Sequence, residues 1–210
     1  MRELGLSYVL GLVIHDRSFI LALKSPGIRR TVLESQARID QIEASFERVK
    51  LHKSEFSAAF YSRLFAKYPE LEPLFMRTDI NRQGTKLYAA LVLLVENLRH
   101  PVELERVLLP LGEKHIGYGA TAEAFPKVGG TIIATLREFL GEDWTPELED
   151  AWRYTLQAVT ETMLRGAGMS LPTESVLSEF RFATVPEEEG HDAVVQLVQI
   201  LLVVQLVQPR

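Results

Sequence analysis

Apolar residues recur every three or four positions through most of this chain, a spacing that predicts helices rather than strands. Ile39, Ile42, Phe46 and Val49 follow it and predict an amphipathic helix over residues 32–49. A second helix is predicted over about 54–67, stopping before Pro69, whose ring lacks an N–H and clashes with the preceding turn. A short turn then leads through Pro73 to Phe75, and residues 76–81 form a polar connection. The next helix, over about 82–98, is rich in Leu, Val and Ala and is expected to be nearly buried. Pro101 can open the following segment. Pro110 is expected to divide that segment, leaving a short helix that carries His115 and is ended by Gly117 and Gly119. Pro126 suits the first turn of a long helix that closes before Gly141. Thr145 and Pro146 read as cap and first position of a last helix running to about Leu164 and terminated by Gly166-Ala167-Gly168.

No long alternation of apolar and polar residues appears between 32 and 167, so the fold class expected is all-α. The chain divides into an N-terminal extension (1–31), a helical domain (32–167) and a linker with an apolar C-terminal tail (168–210). The apolar stretch from Tyr8 to Ile14 falls well below the roughly 20 residues of a membrane helix and lacks a clear cleavage site. It reads as an extra packing segment or as residues upstream of the true start. The tail, 192–207, is apolar almost all round, and its many valines suit a strand as well as a helix. Such a surface is expected to be covered, by joining two chains into a homo-oligomer, docking on its own chain or lying on a membrane.

At 210 residues, 47% hydrophobic and 24% charged, the chain has the composition of an ordinary folded protein that can bury a full core. A net charge of −5 and a pI of about 5.6 argue against a general nucleic-acid binder, which usually carries a basic stripe. The absence of cysteine rules out disulfides and thiolate metal sites and fits a cytoplasmic location.

The candidate chemistry is one ordered series: Tyr61, Pro69, Phe75, Gln83, Leu87 and His115. Gln83 and Leu87 are one turn apart on a helix and share a face. Leu111 and His115 are spaced in the same way, which puts the Leu111 carbonyl within reach of an imidazole nitrogen. Taken singly, each residue has an ordinary reading. His115 could cap its helix, Tyr61 and Leu87 could be core, and Gln83 could be solvated. Together they offer one nitrogen ligand, an aromatic wall, a hydroxyl and an amide on three helices that could enclose a flat apolar cofactor.

In order and spacing these residues resemble the globin family, and within it the bacterial single-domain haemoglobins related to flavohaemoglobins. The matching stretches are Phe60-Tyr61-Ser62-Arg63-Leu64-Phe65 with Pro69-Glu70-Leu71, then Gln83-Gly84-Thr85-Lys86-Leu87 and Leu111-Gly112-Glu113-Lys114-His115. They continue in Phe125-Pro126-Lys127-Val128-Gly129 and Asp150-Ala151-Trp152, and the likeness covers roughly residues 40–167. The resemblance implies a globin domain of three-over-three helices around a haem pocket. It implies iron held by His115 as the proximal ligand, in a haem of the b type because no cysteine is present for covalent attachment. Tyr61 and Gln83 would face the gas, Leu87 would close the pocket and Phe75 would wedge against the haem plane. Lys86 would reach a propionate, and Leu111 and Tyr118, on either side of His115, would complete the cofactor contacts.

The function implied is reversible binding of dioxygen, and of nitric oxide or carbon monoxide, for storage or delivery. Two alternatives are oxidation of nitric oxide with an external reductase and gas sensing through the tail. Two positions depart from the family pattern. Relatives carry a tyrosine and a glutamate around the proximal histidine, where this chain has Phe125 and Ala167. About 43 residues follow the globin stretch, and they contain no Gly-x-Gly-x-x-Gly for a dinucleotide.

Overall fold

The computed structural model describes residues 26–170 apart from Arg77, with side chains from Glu34 onward. The readings of the apolar N-terminal stretch, most of the linker and the apolar tail lie outside the described residues. From Arg38 onward the described residues belong to one compact unit. The described residues as a whole contain six α-helices and no strand. These are α1 (Pro26–Val49), α2 (Lys53–Lys67), α3 (Ile80–Glu96), α4 (Pro101–Gly117), α5 (Ala124–Leu140) and α6 (Pro146–Gly166). Single turns of 3₁₀ helix sit at Lys50–His52 and Gly141–Asp143, and a longer one at Pro69–Phe75.

The ends follow local chemistry. Asp79 caps α3 by accepting from the backbone N–H groups of Asn81 and Arg82 at 2.9 and 3.2 Å. This places the start two residues before the position predicted from the apolar pattern. Thr145 caps α6 through Leu148 N–H at 3.2 Å, with Pro146 at the first position, as expected.

One reading of the sequence is corrected. Pro110 does not divide its segment, and α4 runs unbroken from Pro101 to Gly117 with Pro110 inside it. An interior proline costs about 3 kcal/mol of helix propensity, and Gly112, two residues on, costs about 1 kcal/mol more. Tertiary contact therefore maintains this turn. α4 lies against α6, and the two backbones touch.

α2 packs on α3 and α5, and α6 packs on α4 and α5. The main core holds Phe46, Phe56, Phe60, Leu64, Leu136 and Trp152 among its most buried side chains. Trp152 is fully buried, and its indole N–H donates to Ser45 Oγ at 3.0 Å. Ser45 in turn donates to the Ile42 carbonyl at 2.8 Å, so the buried polar atoms are satisfied. A second, smaller cluster of Leu108, Phe125, Met163 and Leu164 forms between α4, α5 and α6. Leu104 and Val159 flank both clusters. No described helix is long and apolar enough to cross a membrane.

Candidate functional site

The apolar interior forms two clusters, and residues singled out from the sequence belong to or pack against each of them. Tyr61 belongs to the main cluster, with Phe75 and Leu87 packed against it. Leu111 packs against the smaller one, and Phe125 of that cluster has its ring 6.0 Å from that of His115. Among the described residues, no extensive packing joins α3 to α4.

His115 stands in the last turn of α4. Its Nδ1 lies 2.8 Å from the Leu111 carbonyl oxygen, the contact expected from the one-turn spacing. A carbonyl only accepts, so Nδ1 carries a proton, and in the neutral ring the lone pair is on Nε2. The backbone behind it is fixed by a paired end motif. Ala120 N–H donates to the His115 carbonyl at 3.1 Å and Gly119 N–H to the Ile116 carbonyl at 2.9 Å. Gly119 takes φ +90°, a value that side-chain-bearing residues rarely adopt. Gly119, rather than Gly117, is the glycine that ends the helix.

On the other side, Tyr61 projects from α2 and is only 5% exposed. Phe60 and Phe75 meet its ring edge-on, at centroid distances of 5.0 and 5.6 Å. Burial pushes its phenol up to about 12, with a hydrogen bond to the Gln83 amide acting in the opposite direction. The hydroxyl thus stays protonated at any physiological pH. The two partners are set together by one contact between their helices. Ser57, one turn before Tyr61, donates to the carbonyl of Gly84, next to Gln83, at 3.0 Å. A Cβ on Gly84 would come within 2.8 Å of the Ser57 Cβ, so glycine allows the helices this close.

The remaining expected residues are less enclosed. Phe75, Gln83, Leu87 and Leu111 are half-buried, and Lys86 is exposed. Tyr118 follows the end of α4 with its ring 6.3 Å from that of His115 and is 73% exposed. Leu74 at 38% and Val107 at 41% leave further apolar surface on the 3₁₀ turn and on α4. Val107 was not singled out from the sequence. It falls on the stripe Val107, Leu111, His115, a four-residue spacing that could have revealed it. Gly112 was also missed, because its role comes from a contact with α6. A separate recess of about 180 Å³ lies by Leu71, Leu74, Gly119 and Ala124. It falls below the roughly 300–1,000 Å³ of cofactor pockets and does not include His115.

The chain matches the family model described as Globin over residues 58–163. It belongs to the globin family. The six helices, with none of the described residues in a strand, agree with the all-α globin fold. Relatives include a protein named flavohemoprotein in Bordetella pertussis, 34% identical over 113 residues, or 53% of this chain and 28% of that protein. A flavohemoprotein of Rhizobium meliloti is 30% identical over 120 residues, covering 56% of this chain and 30% of its own length. One from Bacillus subtilis is 25% identical over 128 residues, covering 60% and 32%. The globin thus spans about a third of the length of these relatives.

Globins are haem proteins, and the residues present fit that group. The rings of Phe125 and Tyr118 lie beside an imidazole that has one nitrogen engaged and the other able to coordinate. Phe125 and Ala167 are the two positions that the sequence resemblance set apart from the family pattern. Phe125 is 9% exposed, and Ala167 forms the C-cap of α6. The described partner of the His115 ring nitrogen is therefore a neutral carbonyl.

Proposed function

We propose that this globin holds a b-type haem between α3 and α4 and uses it to bind dioxygen or nitric oxide reversibly. What carries the reading is the split core, with the His115 imidazole on the smaller cluster and the Tyr61–Gln83 pair on the larger one. A bound haem would supply an iron at which a diatomic gas can coordinate.

Each residue has a part in this arrangement. Leu111 fixes the His115 tautomer by accepting from Nδ1–H, so that Nε2 is the coordinating atom. Tyr61 and Gln83 supply donors to a ligand carrying partial negative charge, and carbon monoxide, which carries less, gains less from them. Phe75 and Leu87 bring apolar surface that excludes water. Lys86 on the exposed side of α3 would pair with a propionate, and Tyr118 would cover the cofactor edge. With no cysteine in the chain, the haem would be held without covalent attachment.

Reversible binding is favoured over oxidation of nitric oxide by one observation. The apolar Phe125 ring lies beside His115, and the ring nitrogen bonds to a neutral carbonyl, whereas an anionic partner would raise the basicity of the ligand. The enzymatic alternative would also draw on a reductase supplied by another protein. A cysteine-free chain suits the reducing cytoplasm, where we place it. The experiment is titration of the purified protein with haem. A Soret band that saturates at one haem per chain is expected, and failure to form one would remove the reading.

A further inference from the structure

Besides the side chains of Leu108, Met163 and Leu164, backbone meets backbone between α4 and α6 at two reciprocal points. A Cβ placed on Gly112 of α4 would lie 1.8 Å from the Met163 carbonyl oxygen of α6. A Cβ placed on Gly166 of α6 would lie 2.1 Å from the Leu109 carbonyl oxygen of α4. Both pairs are three residues apart and run in opposite directions, so Leu109–Gly112 and Met163–Gly166 interlock as one joint. An ordinary carbon–oxygen contact is about 3.3–3.6 Å, so an added methyl group at Gly112 demands an opening of ~1.5 Å. Because the obstructing atoms are backbone, no side-chain rotation relieves the clash.

The position of this joint gives it a consequence for the site. It encloses Pro110 and Gly112, the two residues in the interior of α4 least suited to a helix, and it ends one turn before His115. Leu111, whose carbonyl holds His115 Nδ1 at 2.8 Å, lies inside it. Gly112 is buried against α6, whereas the His115 ring is half-buried on the neighbouring face. A functional group held for coordination needs placement to within about 0.5 Å, well below the displacement an alanine would cause.

We propose that Gly112 and Gly166 are positioning residues for the proximal histidine. Their joint seats the Pro110–Gly112 turn against α6 and thereby sets where His115 Nε2 stands. The inference rests on the haem reading above and adds to it the part of the fold that places the ligand.

The test compares Gly112→Ala, Gly166→Ala, the double variant and Gly117→Ala as full-length, haem-loaded proteins. Gly117 is the control, since it lies on the same helix and its added Cβ meets nothing within 4 Å. The readouts are the iron–histidine stretching band of the ferrous protein and the rate of haem loss to an acceptor protein. Each joint variant is expected to shift or split the band and to speed haem loss about tenfold or more, with Gly117→Ala unchanged. The double variant should be no worse than the more severe single one, because both open the same joint. If Gly112→Ala does not fold, the pair is repeated in a Pro110→Ala background, which strengthens α4 independently of the joint. There the band should still move. Folded joint variants with a wild-type band and wild-type haem loss would overturn the positioning role while leaving haem binding intact. A wild type that takes up no haem would overturn the functional reading itself, and the positioning role with it.

Discussion

At Tyr61, burial raises the phenol, a hydrogen bond to Gln83 lowers it, and burial wins, leaving the group at about 12. The folded chain thus holds this proton more tightly than the unfolded chain, where a tyrosine titrates near 10. The associated stability is fully present below about pH 10 and is lost as pH rises through about 12. Tyr154 is also held at about 12, chiefly by burial, and titrates in the same window. Tyr88 is raised by burial as well, so Tyr61→Phe should remove one of several contributions to the loss of stability between pH 10 and 12, measured by denaturant unfolding. The same variant should release dioxygen about ten- to a hundredfold faster in stopped-flow displacement, as expected for one lost donor. An unchanged release rate would show that the hydroxyl does not meet the gas. The sequence made Tyr61 visible through its place in the series. Its enclosure by Phe60, Phe75 and the Gln83 amide depends on how α2, the 3₁₀ turn and α3 assemble, which spacing alone does not specify.

At the scale of elements, helix ends were legible wherever proline or threonine set them, as at Pro101 and Thr145. They were less legible where the apolar pattern faded before the cap, as at Asp79. Pro110 was misread because its local cost is real, whereas the contact that offsets it, with Met163 and Gly166, is more than fifty residues away in sequence. The start of α6 carries a second long-range device. Burial would raise the Glu149 carboxyl, but hydrogen bonds from Trp144, Arg153 and Arg137 outweigh it and hold the group at about 2. Trp144 Nε1 donates at 2.9 Å and Arg153 Nε at 2.9 Å. This stability is present above the ordinary carboxylate value near 4.5 and is lost as pH falls through about 2. Glu149→Gln is expected to cost about 1–3 kcal/mol at pH 7 and to flatten the acid side of the stability curve between those values. A variant with wild-type acid sensitivity would show that the cluster does not tie α5 to α6.

At the scale of the domain, the sequence showed an all-α chain and the order of its helices. It did not show that the apolar interior separates into two clusters, because both are built from the same residue types at the same helical spacings. Nor did it show that Lys86 and Tyr118 stay exposed while Tyr61 is enclosed, a difference set by which helices pack together. The central claim is that the two clusters are arranged around a haem held by His115. The most direct measurement is the ferrous visible spectrum of wild type and of His115→Ala, with and without free imidazole. The wild type should show a haem with one nitrogen ligand from the protein. The variant should lose that signature, and added imidazole should restore it by entering the space left by the side chain. A His115→Ala spectrum identical to wild type without imidazole would contradict the assignment.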